Sequence, residues 1–155
     1  MAQGTRGGDK LNDLYDLAVH ETQIFPASSE LECVLTAHAT ADVWSTWAEI
    51  EDDTGGTTVK LSAAFAACDG HITSMVTESA NQDATIYMVE VAYGSAKTII
   101  SRWRVASHIS IVSSSGQSAA AGEHIPEGET VYYRMKCETA GSKTLSVHFR
   151  HFCHT

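Results

Sequence analysis

Histidine and cysteine are the residues here best equipped for chemistry. The chain has 8 His and 4 Cys. The densest group is His148, His151, Cys153 and His154. Side chains alternate along an extended strand, so His151 and Cys153 share one face while His148 and His154 share the other. A regular strand cannot converge all four on one ion. A tetrahedral site would need partners from elsewhere, such as His124 or Cys137. The structural reading of these side chains is therefore preferred, and no metal, cofactor or catalytic residue is assigned. The acidic run Glu49, Glu51, Asp52 and Asp53 lacks the spacing of an EF-hand loop and sits beside Gly55-Gly56, which reads as a solvated hairpin tip. No G-x-S-x-G, G-x-x-x-x-G-K-[ST], G-x-G-x-x-G or H-E-x-x-H is present, so the expectation is a protein that is not an enzyme. The four cysteines (Cys33, Cys68, Cys137 and Cys153) include no C-x-x-C pair, and spacing cannot choose among their three possible pairings. The polar, glycine-rich start, Met1 to Lys10, is unlike a secretory signal, so four reduced thiols made in a cytoplasm are expected.

Charge supplies a second kind of candidate. Lys and Arg total 10 against 19 Asp and Glu, a formal net charge of -9 over 155 residues. Such a balance argues against nonspecific nucleic-acid binding. The basic residues nevertheless gather in the last third, at Arg102, Arg104, Arg134, Lys136, Lys143 and Arg150. Arg102 and Arg104 have the same strand parity, as do Arg134 and Lys136. On neighbouring strands they would make one basic sheet face. A solvated outer face is the plain interpretation; the functional one is a docking face for an acidic protein surface, with Arg150 included. Trp44 and Trp103 are candidate sugar platforms, although such aromatics more often fill cores and interfaces.

These side chains need a scaffold, and its pattern is mostly period two. Leu145, Val147, Phe149, His151 and Cys153 alternate with more polar neighbours. Val131, Tyr133, Met135 and Cys137 do the same. Further strands are expected at 31–38, 43–51, 57–65, 71–78, 84–93, 97–105 and 107–113. Gly55-Gly56, Asp69-Gly70 and Gly94-Ser95 read as hairpin turns, Pro126-Glu127-Gly128 as a turn entering a strand, and Ser113 to Gly122 as an exposed loop. Met75, Met88 and Met135 read as core filling. Residues 1–30 form a separate N-terminal arm. Its start is glycine-rich, Leu11, Leu14, Tyr15 and Ala18 are spaced as on a short amphipathic helix, and Ile24-Phe25-Pro26 favours extended backbone. With 43% hydrophobic residues and no apolar run long enough to cross a membrane, the expectation is a soluble all-β protein. It comprises the arm at 1–30 and an antiparallel jelly-roll-like β-sandwich at 31–155.

Three stretches of this sandwich resemble a known family. Trp47-Ala48-Glu49-Ile50 is similar to an early W-x-E-[LI] strand. Tyr87 to Ala96 (YMVEVAYGSA) is similar to a central strand followed by a glycine turn. Ile125 to Val131 (IPEGETV), followed by Cys137 to Val147, is similar to a closing pattern in which a turn opens a strand and a small-residue hairpin leads into the final strand. Together they resemble the jelly-roll or β-sandwich virion proteins of tailed phages, which include head decoration (cement) proteins. Glu90 and Tyr93 depart from that pattern, standing where the family has smaller or apolar residues. The resemblance implies a structural virion protein, in a family that occupies several virion locations. With only the 1–30 arm outside the sandwich, the small size favours a compact decoration protein on the outer surface of the head, made in the host cytoplasm. Its implied partners are the major capsid protein and further copies of itself, as a homotrimer, with no cofactor, nucleic acid or membrane. The alternative is a tail, fibre or neck module that binds a host receptor or glycan. Leu11, Leu14 and Tyr15 of the arm, with Arg102, Arg104, Arg134, Lys136 and Arg150, are the expected protein-binding residues.

Overall fold

The computed structural model describes residues 22–54, 56–107, 118–119 and 123–154. The strands follow the apolar alternation. They are β1 (Gln23–Phe25), β2 (Cys33–Thr36), β3 (Ala48–Glu49), β4 (Gly70–Ala80), β5 (Thr85–Tyr93), β6 (Thr98–Ser107), β7 (Ser118–Ala119), β8 (Val131–Cys137) and β9 (Thr144–Cys153), with a 3-10 helix at Leu61–Phe65. One sheet has the order β1-β9-β4-β7, with β2 also on β9; the other has the order β3-β8-β5-β6.

β1 pairs with Phe149–His151 and β2 with Thr144–Val147, so the two are halves of one edge strand along β9. Counted that way, the first strand pairs with the last, the second with the next to last, the third with the sixth and the fourth with the fifth. All these pairs are antiparallel. This is the order of one long hairpin folded over into two sheets, a jelly roll. It closes a single core between them. Val131, Tyr133, Met135, Leu145, Val147 and Phe149 all point inward as their parity requires, and Tyr133, the most exposed of the six, is only 9% accessible.

Several local expectations give way. The stretch 57–65 ends in a 3-10 helix instead of a strand. Its two fully buried residues, Leu61 and Phe65, are four apart, which is a helical spacing. Asp69-Gly70 is not a hairpin tip, because Gly70 opens β4. Ser118–Ala119, within the expected loop, pairs with β4. Of the expected strand at 43–51 only Ala48–Glu49 is regular. The chain before it still follows β8 irregularly, with Asp42 N–H on the Cys137 carbonyl (2.8 Å) and Ser45 N–H on that of Met135 (2.9 Å). Asp52 is buried and its carboxylate accepts the Val59 N–H at 2.8 Å, so it braces its loop from inside. Met75 and Met135 fill the core, whereas Met88 is only half-buried. Cys68 and Cys153 form a disulfide where four reduced thiols were expected; Cys33 and Cys137 are free and buried. Burial and the nearby Asp52 and Glu32 carboxylates push the Cys33 thiol well above its usual range.

The body begins earlier than residue 31, since β1 belongs to the sheet and Phe25 to the core. The expected arm helix, with Leu11, Leu14 and Tyr15, lies outside the described residues, as does most of the expected strand at 107–113. No helix among the described residues is long and apolar enough to cross a membrane.

Candidate functional site

The outer face of the β3-β8-β5-β6 sheet carries the predicted basic cluster. Arg102 and Arg104 stand on β6 and Arg134 and Lys136 on β8, separated by β5 instead of adjacent. Register then decides their geometry. Glu90 of β5 lies opposite Arg102 on one side and Arg134 on the other, and Met88 lies opposite Arg104 and Lys136. Glu90 is fully buried although it faces outward. The Nε–H groups of Arg102 and Arg134 each donate to its carboxylate at 2.6 Å. A desolvated carboxylate is expensive without partners, and here two guanidinium groups supply charge and hydrogen bonds together. Glu90 is therefore the anchor that fixes the two arginines.

Aromatic residues complete this face. The Arg134 guanidinium lies over the rings of Trp44 (4.9 Å) and Trp47 (4.6 Å), and the Lys136 ammonium lies over Trp44 at 5.4 Å. Further along β8, Lys97 sits 3.3 Å from the Tyr132 ring centroid. Each such contact contributes about 0.5–1 kcal/mol at an exposed site. Trp44 and Trp47 are half-buried and reach this face because residues 42–50 run beside β8. Trp103, the other suggested sugar platform, points into the core near Phe149 and is unavailable to a ligand.

Arg150 belongs elsewhere. It is on β9 in the opposite sheet, where it lines a groove of about 340 Å³ with Ile24, Val76, Glu78 and His148. The basic face therefore has four of the predicted cations, and Arg150 is not one of them.

The C-terminal histidines disperse, as strand alternation requires. His151 points into the core against Phe65, with ring centroids 5.6 Å apart, and burial lowers its pKa. His148 faces Glu78 at 3.1 Å. His154 instead meets His124 and His71, a residue that sequence reading did not single out. A ring nitrogen from each lies within 4.8 Å of the others. Gly70 makes the meeting possible. It pairs with Cys153 across β9 and with Ile125 on its other side, so the neighbours His71, His154 and His124 are delivered to one corner. A Cβ on Gly70 would lie 2.1 Å from the Phe152 carbonyl oxygen, so only glycine allows this approach. No local motif announces the trio, because its members come from three separate segments.

No family model matches the chain, and neither a curated protein nor a solved structure matches it.

Proposed function

We propose that this chain is a structural virion protein of a tailed phage. It decorates the assembled head from outside as a homotrimer, in contact with the major capsid protein and with its own copies. The observation that carries this reading is the Arg102–Glu90–Arg134 arrangement under Arg104, Lys136, Trp44 and Trp47. It is a rigid cationic and aromatic face on an acidic chain. A face of that kind suits docking on an acidic protein surface. Charge complementarity fixes orientation and speeds encounter, while the desolvated aromatics and arginine supply the anchors. The jelly-roll strand order and the sequence stretches named above support the phage assignment.

The arrangement also weighs against the glycan-binding alternative. Cations already lie over Trp44 and Trp47, and Trp103 is buried. Docking would stabilise the shell by mass action, since a ligand that binds only the assembled state favours that state. Trimerisation would link contacts that must then dissociate together. No catalytic step is part of this role.

Counting copies in purified particles by quantitative mass spectrometry tests the role. Decoration predicts a copy number comparable to that of the major capsid protein. A small fraction of that number would assign the chain to the tail or neck, and its absence from particles would end the virion reading.

A further inference from the structure

We propose that His71, His124 and His154 bind one zinc ion at the Gly70 corner of the sandwich. The ring centroids form a nearly equilateral triangle, with separations of 4.8 Å (His71–His124), 5.0 Å (His71–His154) and 5.0 Å (His124–His154). Three imidazoles that hold zinc through bonds of about 2.0–2.1 Å in tetrahedral geometry place their centroids about 5 Å apart. One candidate ligand nitrogen from each ring lies within 4.8 Å of the others, close enough for small ring movements to bring all three onto one ion.

The surroundings suit coordination. Nε2 of His124 lies 2.7 Å from the Asp69 carboxylate, and Nδ1 of His71 lies 3.2 Å from the Glu123 carbonyl oxygen. Each bond orients its ring, as the outer-shell partners of a zinc-bound histidine do. Nε2 of His154 is shielded from solvent. The Phe152 ring packs 5.2 Å from both His71 and His154, which limits their rotation. The His154 N–H also donates to the Asp69 carbonyl at 2.8 Å, so the end of β9 is held by its backbone before any ion arrives. Three neutral nitrogen donors suit a borderline transition metal and not calcium or magnesium, which require oxygen. Water would complete the tetrahedron. The ion would join β4, the segment before β8 and the end of β9, three parts of the chain remote in sequence.

Isothermal titration of the untagged full-length chain with ZnCl2 tests the site, with Co2+ as an optical probe of tetrahedral coordination. The expected result is one ion per chain. His124→Ala, at an exposed position, should weaken binding at least about tenfold with an unchanged circular dichroism spectrum, and Asp69→Asn should weaken it by about 10–100-fold. His148→Ala, outside the trio, should leave it unchanged. Failure to bind one ion per chain, or an affinity that His124→Ala leaves unchanged, would overturn the proposal. Neither result bears on the docking role.

Discussion

Glu90 and Arg134 stand directly opposite each other on β5 and β8, joined at 2.6 Å, and the same guanidinium lies over Trp44 and Trp47. One arginine thus ties a buried carboxylate to two half-buried indoles. These side chains are held in place by the fold itself, which would reduce the entropy lost if this face docks on a partner as proposed.

That arrangement makes a stability prediction. The double variant Arg102→Met/Arg134→Met strands the Glu90 charge in a desolvated position. It should lose about 3–5 kcal/mol in urea unfolding. Arg102→Met alone should lose much less, because Arg134 remains and the Arg102 side chain is 56% exposed. Equal losses for the single and double variants would show that Glu90 does not depend on the pair.

The core makes a second prediction. Phe149 is fully buried, with the Trp103 ring centroid 6.4 Å away. Phe149→Ala should cost about 3–5 kcal/mol by lost burial and cavity formation. A cost under 1 kcal/mol, measured by the same unfolding method, would place this side chain outside the core.

Gly70 and Gly128 offer a matched pair. Gly70→Ala drives a methyl into the Phe152 carbonyl, whereas an alanine at Gly128 meets nothing within 4 Å and suffers only from its φ of +77°. Gly128→Ala should cost about 1–2 kcal/mol. Gly70→Ala should cost more, since the β4–β9 contact must open. Comparison of the two melting curves decides the order, and a milder effect at Gly70 would contradict the close approach.

His151 predicts a pH dependence. Burial beside Phe65 lowers its pKa from 6.5, so the folded chain binds this proton more weakly than the unfolded chain. Its contribution to stability is therefore fully present above pH 6.5 and is lost as pH falls below that value. The limiting slope is about 1.4 kcal/mol per pH unit for one group. Unfolding free energies measured between pH 7.5 and pH 5 should fall more steeply for the wild type than for His151→Leu. Parallel curves would show that His151 takes up its proton without opening the core.

Much of the fold was legible because strand parity is a local signal. In β8 and β9 each inward residue is apolar or sulfur-bearing except His151, so both strands and their core faces follow from alternation alone. The same signal placed Arg102 with Arg104 and Arg134 with Lys136. It could not show that β5 separates the two pairs, nor that Arg150 faces the other side of the molecule, because sheet order is set by long-range pairing. Leu61–Phe65 misled for a local reason: five residues cannot distinguish a period of two from one turn of helix. The histidine trio was hidden for a global one. His71, His124 and His154 share no motif, and only the backbone contacts of Gly70 bring them together.

The most direct test of the docking role uses particles that lack this chain. They would be heated alone, with purified wild-type protein, or with Arg104→Glu/Lys136→Glu protein, and DNA release would be followed by a fluorescent dye. Neither substituted residue pairs with Glu90, so the variant should fold normally. Wild-type protein should raise the release temperature, and the charge-reversed protein should not. Unchanged release with saturating wild-type protein would contradict it.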